Sequence, residues 1–302
     1  MKQFVFFICL LPMGLVAAAQ PCVSIKAPQL SESIRADFEQ KLEAAKTDYH
    51  KDSGNADAII WYGRRAAYLG EYMKAIEIFT NGITLHPGEA RLYRHRGHRY
   101  ITIRCFDKAI ADFKMAGQLT KGKSDEVEPD GMPNAKNIPT STLQSNTWYH
   151  LGLAYFIKGE YKKALKAYRK CLKVSTNDDM YVATFNWNYL TLLKMGKDKE
   201  AKELYHSVNP NAVLIENFDY WKLFNGLYLN KPNETVIDSV ATVLTNGASS
   251  LGVATINFGI GYYCLIKGYQ EKAKKYFNNA IATNQWSSFG FIAAEAELAR
   301  MK

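Results

Sequence analysis

Small and aromatic residues recur along this chain at a fixed interval. Gly63, Ala75, Phe79 and Gly82 are answered 34 positions later by Gly97, Ala109, Phe113 and Ala116. Trp148, Leu151, Gly152, Tyr155, Gly159, Ala164, Tyr168 and Cys171 repeat the order, and further copies run through Phe185, Gly196, Ala201, Tyr205 and through Gly261, Gly268, Ala273, Phe277, Ala280. Self-similarity at such a period marks an array whose unit is one supersecondary structure. Within a unit the spacing predicts a helix, a turn with Gly, Asn or Asp, and a second helix. The small residues let neighbouring helices approach closely, and the aromatics fill the space between them. No unit can bury its apolar face alone, so the units must stack.

This order resembles the tetratricopeptide repeat family, W-x2-L-G-x2-Y followed by a small residue, an aromatic, a small residue and a proline. The resemblance covers about residues 56–117, 145–208 and 254–286. It implies an all-α fold, a right-handed superhelical solenoid of helix-turn-helix repeats with a concave surface. Repeats are expected at 56–89, 90–117, 145–178, 182–208 and 254–286, with a degenerate unit at 215–248. A helix over 29–49 precedes them and a capping helix over 287–301 follows. An inserted loop, 118–144, interrupts the array after the second repeat.

The register divides the stretch RLYRHRGHRY, residues 91–100, into two sides. Successive helical residues turn by about 100°, which puts Tyr93, Gly97 and Tyr100 on the packing side. Arg91, Arg94, His95, His98, Ile101 and Thr102 fall on the other side, which the resemblance assigns to the concave groove. Arg96 stands where the family has Leu and is expected to snorkel or to pair with an acid from elsewhere. Arg99 is expected near an edge. Repeat one adds Arg64, and repeat three adds Asn146, Tyr149, His150 and Phe156. Repeat four adds Trp187. The groove thus reads as basic and amide-rich at one end and aromatic at the other.

Charge and export narrow the choice of partner. The chain has 302 residues, is 47% hydrophobic and carries a formal net charge of +9, so it is too apolar for disorder and favours anionic partners. Residues 1–19 read as a secretory signal peptide, with Lys2 before an apolar run and Ala17-Ala18-Ala19 as the cleavage site. The protein is therefore expected to be exported, periplasmic or secreted, with no transmembrane segment after cleavage. Cys22, Cys105, Cys171 and Cys264 remain. Their even number permits disulfides, but none has CxxC spacing, and Cys171 and Cys264 occupy packing positions. Buried free thiols are the expectation.

An anion site is the sharpest chemical reading. Arg64 and Arg94 are placed to fork onto a carboxylate, with Asn146 and His98 beside them. Some tetratricopeptide domains clamp the C-terminal carboxylate of chaperone tails with basic and Asn side chains, but Ile60 and Arg64 depart from that pattern, so those chaperones are not implied. His95, His98 and His150 could be read as a metal box, but the surrounding arginines argue against it, and no metal or other cofactor is called. Confined charge and export argue against nucleic acid. No Gly-rich phosphate loop or nucleophile elbow appears, so the chain is read as a non-catalytic protein-protein interaction module. Its partner would be a protein or peptide with an acidic or C-terminal carboxylate segment, bound by Arg64, Arg91, Arg94, His95, His98, Asn146, Tyr149, His150, Phe156 and Trp187.

The insert carries Asp125, Glu126, Glu128 and Asp130, and Ser141 with Gln144 form a candidate capping box. It is expected either to fold over the groove, pairing its acids with Arg91, Arg94 or Arg96, or to be a disordered loop. A lid would favour the alternative reading, a sensor or enzyme for a small anionic ligand enclosed by the insert.

Overall fold

The structure is a computed structural model that describes residues 22–301; the signal peptide read over residues 1–19 lies outside them. The described residues form fourteen α-helices and no strand. After α1 (Glu32–Lys51) come the hairpins α2/α3 (Ala56–Tyr68, Tyr72–Leu85), α4/α5 (Ala90–Thr102, Phe106–Leu119), α6/α7 (Leu143–Ile157, Tyr161–Val174) and α8/α9 (Asp178–Lys194, Asp198–His206). The degenerate unit is α10 (Phe218–Lys222), continued by a π-helical turn (Leu223–Tyr228), and α11 (Ile237–Thr245). Helices α12 (Ser250–Lys267), α13 (Gln270–Ala282) and α14 (Phe289–Arg300) complete the chain.

The recurrent glycine of α2, α4, α6 and α12 has a steric cause. A Cβ on Gly63 would lie 2.4 Å from the Phe79 ring, and one on Gly152 would lie 2.4 Å from that of Tyr168. In these four hairpins the aromatic of the second helix rests on the bare backbone of the first, so the two recur together. The capping box before α6 forms one residue later than Ser141 and Gln144 suggest. Thr142 is the N-cap and Ser145 its partner, because Asp125 takes the Gln144 amide at 3.0 Å and the Thr142 hydroxyl at 2.6 Å.

The turn inside a hairpin needs a left-handed residue. Gly70, Gly159, Gly196 and Gly268 supply it, but the second repeat places Arg104 there with φ 61°. A left-handed non-glycine costs about 1–2 kcal/mol. The side chain offsets this. Arg104 donates from Nε and Nη2 to Glu295 at 3.0 and 2.6 Å, donates to the Trp286 carbonyl at 2.9 Å, and lies 4.0 Å over the Trp286 ring. It ties the second repeat to the C-terminal segment. Helix α14 packs on α12 and α13 and also reaches α6, with Arg300 donating to the Ile157 carbonyl. The last helix therefore closes the concave side as well as ending the stack.

Cys22 and Cys105 form a disulfide, fastening the segment before α1 to the α4–α5 turn. This corrects the thiol expectation for that pair. Cys171 and Cys264 are buried free thiols, both pushed up to about 12 chiefly by burial.

Candidate functional site: a lidded cavity on the concave face

Helix α4 turns Arg94, His95, His98 and Arg99 inward, α2 adds Arg64 and Tyr68, and α6 adds Asn146, Tyr149 and His150. The insert is folded over them. A single bridge, Val127 with Thr142, closes its base, with Glu128 N donating to Ser141 O at 3.2 Å and Leu143 N to Glu126 O at 2.8 Å. Its returning arm is held by Asn177, whose Nδ2 donates to the Thr140 carbonyl at 2.9 Å, and by Glu216, which accepts from Thr140 and Asn134. Of the two sequence expectations for the insert, the lid is the one realised.

Glu128 of the lid is buried and occupies the expected anion position. Arg94 Nε stands 3.0 Å from Glu128 Oε2 and His95 Nε2 stands 3.4 Å from Oε1. Asn146 Nδ2 donates to the same carboxylate and to Ser141 Oγ. Arg64 donates to the Pro129 carbonyl at 2.8 Å, and Arg65 to that of Gly131 at 2.8 Å. Gly131 makes this approach possible: a Cβ there would lie 1.8 Å from Tyr68 Oη and 2.7 Å from Arg64 Nη2. Arg64, Arg94 and Asn146 of the expected constellation gather here, with His95 where His98 was expected, and the protein's own acid and backbone fill the place.

The histidines beneath are neutral. Arg94 Nη1 can only donate, and it lies 2.9 Å from His95 Nδ1, so Nδ1 accepts and Nε2 carries the proton that faces Glu128. His150 Nδ1 lies 2.6 Å from the Asn146 carbonyl and donates to it, leaving Nε2 as an acceptor. Burial, aided by Arg94 and Arg99, pushes His150 down to about 3. Burial and then Arg99 hold His98 well below the usual imidazole range, and burial with Arg94 does the same to His95. The His98 and His150 rings are 4.6 Å apart. Among the described residues no three of His, Cys, Asp and Glu gather as a metal-holding group.

Two adjoining cavities remain, of about 540 and 280 Å³. They share His98, Arg99, Met132, Ser141, Asn146 and His150. Arg99 is the residue that sequence reasoning missed. It was expected at an edge, but residues 285–290 close over that edge and make it interior. Its guanidinium makes no hydrogen bond or ion pair with a described residue, while its carbonyl accepts from Ile103 N at 3.0 Å. The Tyr72 ring lies 6.0 Å away, and burial pushes its guanidinium down to about 10.

Three other expected site residues lie elsewhere. Arg91 sits at the rim, clasped by Glu89 at 2.8 and 2.9 Å and by Asp57 at 2.6 Å. Phe156 and Trp187 are core residues, because α12 packs on the inner face of α8. Trp187 is 1% exposed and stacks on Phe258 at 5.0 Å, and Phe156 meets Trp187 at 5.2 Å and Tyr262 at 5.1 Å. Tyr149 bridges core and cavity. Its hydroxyl accepts from Trp187 Nε1 at 2.9 Å and lies 3.2 Å from that of Tyr220. Arg96, as expected, finds an acid, gripping Asp112 through two bonds of 2.7 and 2.8 Å.

Comparison with known proteins agrees with this architecture. Residues 145–178 and 254–285 match the tetratricopeptide repeat model. Tetratricopeptide repeat protein 13 of Homo sapiens is 30% identical over 105 residues, which are 35% of this chain and 10% of that protein. The chain thus spans a tenth of the length of that curated relative. The Rap conjugation gene regulator of plasmid pLS20, solved in complex with the Phr* peptide, is similar with a TM-score of 0.55 and 16% identity, over 85% of this chain and 71% of that one. MamA is similar with a TM-score of 0.45 and 20% identity, over 59% and 93% of the two chains. Two segments of the chain are thus similar to tetratricopeptide repeats, and its helical hairpins stack as a solenoid. Such solenoids present extended concave binding surfaces, and no described helix is long and apolar enough to cross a membrane.

Proposed function

We propose that this is an exported, non-catalytic interaction module that encloses the carboxylate end of a partner peptide in the concave cavity. The carrying observation is Arg99, a largely buried cation that lines both cavities without an acid partner. Every other inward arginine is already engaged with the lid, so an incoming carboxylate has Arg99 as its anchor and Asn146 and Tyr149 as neighbours. Three observations support the remaining terms. The Cys22–Cys105 disulfide suits an oxidising compartment and agrees with the signal peptide. Thiols pushed to about 12 are poor nucleophiles, and an imidazole at about 3 is a poor base. The pLS20 regulator of similar fold was solved with a peptide bound.

A second reading is favoured by the seated lid. A ligand enclosed beneath residues 128–141 can be a small anionic molecule sensed by the module rather than a peptide end. Both readings share one test. Peptides ending in a free carboxylate, or in an amide, are titrated calorimetrically into the oxidised chain without residues 1–19. The carboxylate is expected to be preferred, and Arg99→Gln to weaken it by about tenfold or more. Equal binding of the amidated peptides would sink the carboxylate reading.

A further inference from the structure

The larger cavity carries a second uncompensated charge. Asp219 of α10 lines only the larger cavity of the two, whereas Arg99 lines both. The Asp219 carboxylate packs on the bare backbone of Gly252, where a Cβ would lie 2.4 Å from Oδ2. It makes no hydrogen bond or ion pair with a described side chain. Partial burial raises it, and Lys222 opposes that rise. Arg99 and Asp219 do not pair with each other. Each is partly withdrawn from water with no oppositely charged side chain in contact with it.

Resting on the carboxylate reading above, we infer that the ligand is a short zwitterion, a free α-amino acid or a short peptide with both termini charged. Its carboxylate meets Arg99 and its ammonium meets Asp219. One such molecule relieves both charges at once, which neither an anion nor a cation does. A dianion is disfavoured, because His98 and His150 are neutral and add no positive charge, while Glu216 and Asp219 repel a second negative one. Tyr149 and Tyr220, whose hydroxyls bond each other and Trp187, line the same cavity. A volume of about 540 Å³ lies within the range of small-molecule sites. Met132 of the lid and Phe289 of α14 are part of the cavity wall.

The test uses the oxidised chain without residues 1–19 in equilibrium dialysis, read by mass spectrometry. The probes are an equimolar mixture of the free α-amino acids and a random tripeptide mixture, each also supplied N-acetylated or C-amidated. Free species are expected to be retained, and either cap to weaken retention by about tenfold or more. The two mixtures separate amino acid from peptide. Asp219→Asn, near-isosteric and checked for an unchanged melting curve, should remove the penalty of acetylation and keep that of amidation. If acetylated species are retained as well as free ones while amidated ones are lost, the zwitterion is wrong and the carboxylate reading stands. If amidated species are retained equally, both fall. If the wild-type chain retains none of the mixtures at millimolar concentration, the zwitterion is overturned.

Discussion

The inner faces of α4 and α8 occupy the same register in their repeats and are built from opposite materials. On α4 the face is Arg94, His95, His98 and Arg99, covered by a loop that brings one buried acid and several carbonyls. On α8 it is Trp187 and Leu190, covered by α12, which brings Phe258 and Tyr262. A helix can lie flat on an apolar surface and exclude water from it. A charged face cannot be covered that way, because each cation needs an acceptor. An irregular segment with free carbonyls and Glu128 can supply acceptors where a helix cannot. The interruption of the array at 118–144 is thus the counterpart of the basic stretch beside it, and a cavity survives there because Arg99 is left unmatched.

The comparison is broken most directly at Trp187. If it is core, Trp187→Ala should lower unfolding free energy by about 3–5 kcal/mol, read as a shift of the urea midpoint. A near-unchanged midpoint would return Trp187 to the groove. A smaller effect is expected where the two regions are tied together. Arg104→Ala removes the bonds to Glu295 and Trp286 and leaves a left-handed alanine, with a loss of about 2–3 kcal/mol. Arg104→Gly should recover about 1 kcal/mol of that by relaxing the turn. Identical stabilities for the two variants would show that backbone strain plays no part.

The finest effect separates the regions by pH, since the buried histidines belong to the α4 side. Their folded values lie below the unfolded value of about 6.5, reaching about 3 for His150. The unfolded chain therefore binds more protons in between. Their contribution is complete above pH of about 6.5 and is lost as pH falls from there toward the folded values, by up to about 1.4 kcal/mol per pH unit for each histidine. Urea titrations at pH 7 and pH 5 should show the loss, and His150→Gln should reduce it. A slope unchanged by that substitution would mean that His150 is not held neutral by the fold.

Much of the fold was legible in the sequence because it rests on local periodicity. The 34-residue recurrence of Gly63, Ala75 and Phe79 is a contact rule within one hairpin, and neighbouring hairpins obey it independently. The role of Arg96 was readable too, as a charge on a packing side must find a partner. The residues misread, Phe156 and Trp187 in the groove and Arg99 at its edge, share a different cause. Phe156 and Trp187 lie on the concave side as the register requires, but concave is not the same as open, and an edge is not the same as exposed. Whether such a residue meets solvent, a cavity or another helix depends on elements more than fifty positions away. Phe258 settles Trp187, and the segment before α14 settles Arg99.

By itself the sequence determined the helical hairpins, their stacking and the inward turn of Arg94, His95 and His98. It also contained Arg104 at a turn where other repeats carry glycine, a departure visible in the period. Only the tertiary structure decided that α14 closes the concave side, that Cys22 pairs with Cys105, and that Glu128 fills the site of Arg94 and Asn146. It also decided that Arg99 and Asp219 face one cavity uncompensated. Hairpins form from contacts a few turns apart, which a repeat pattern records. The closure of a superhelix sums small rotations over every repeat, and no single stretch of residues records that sum.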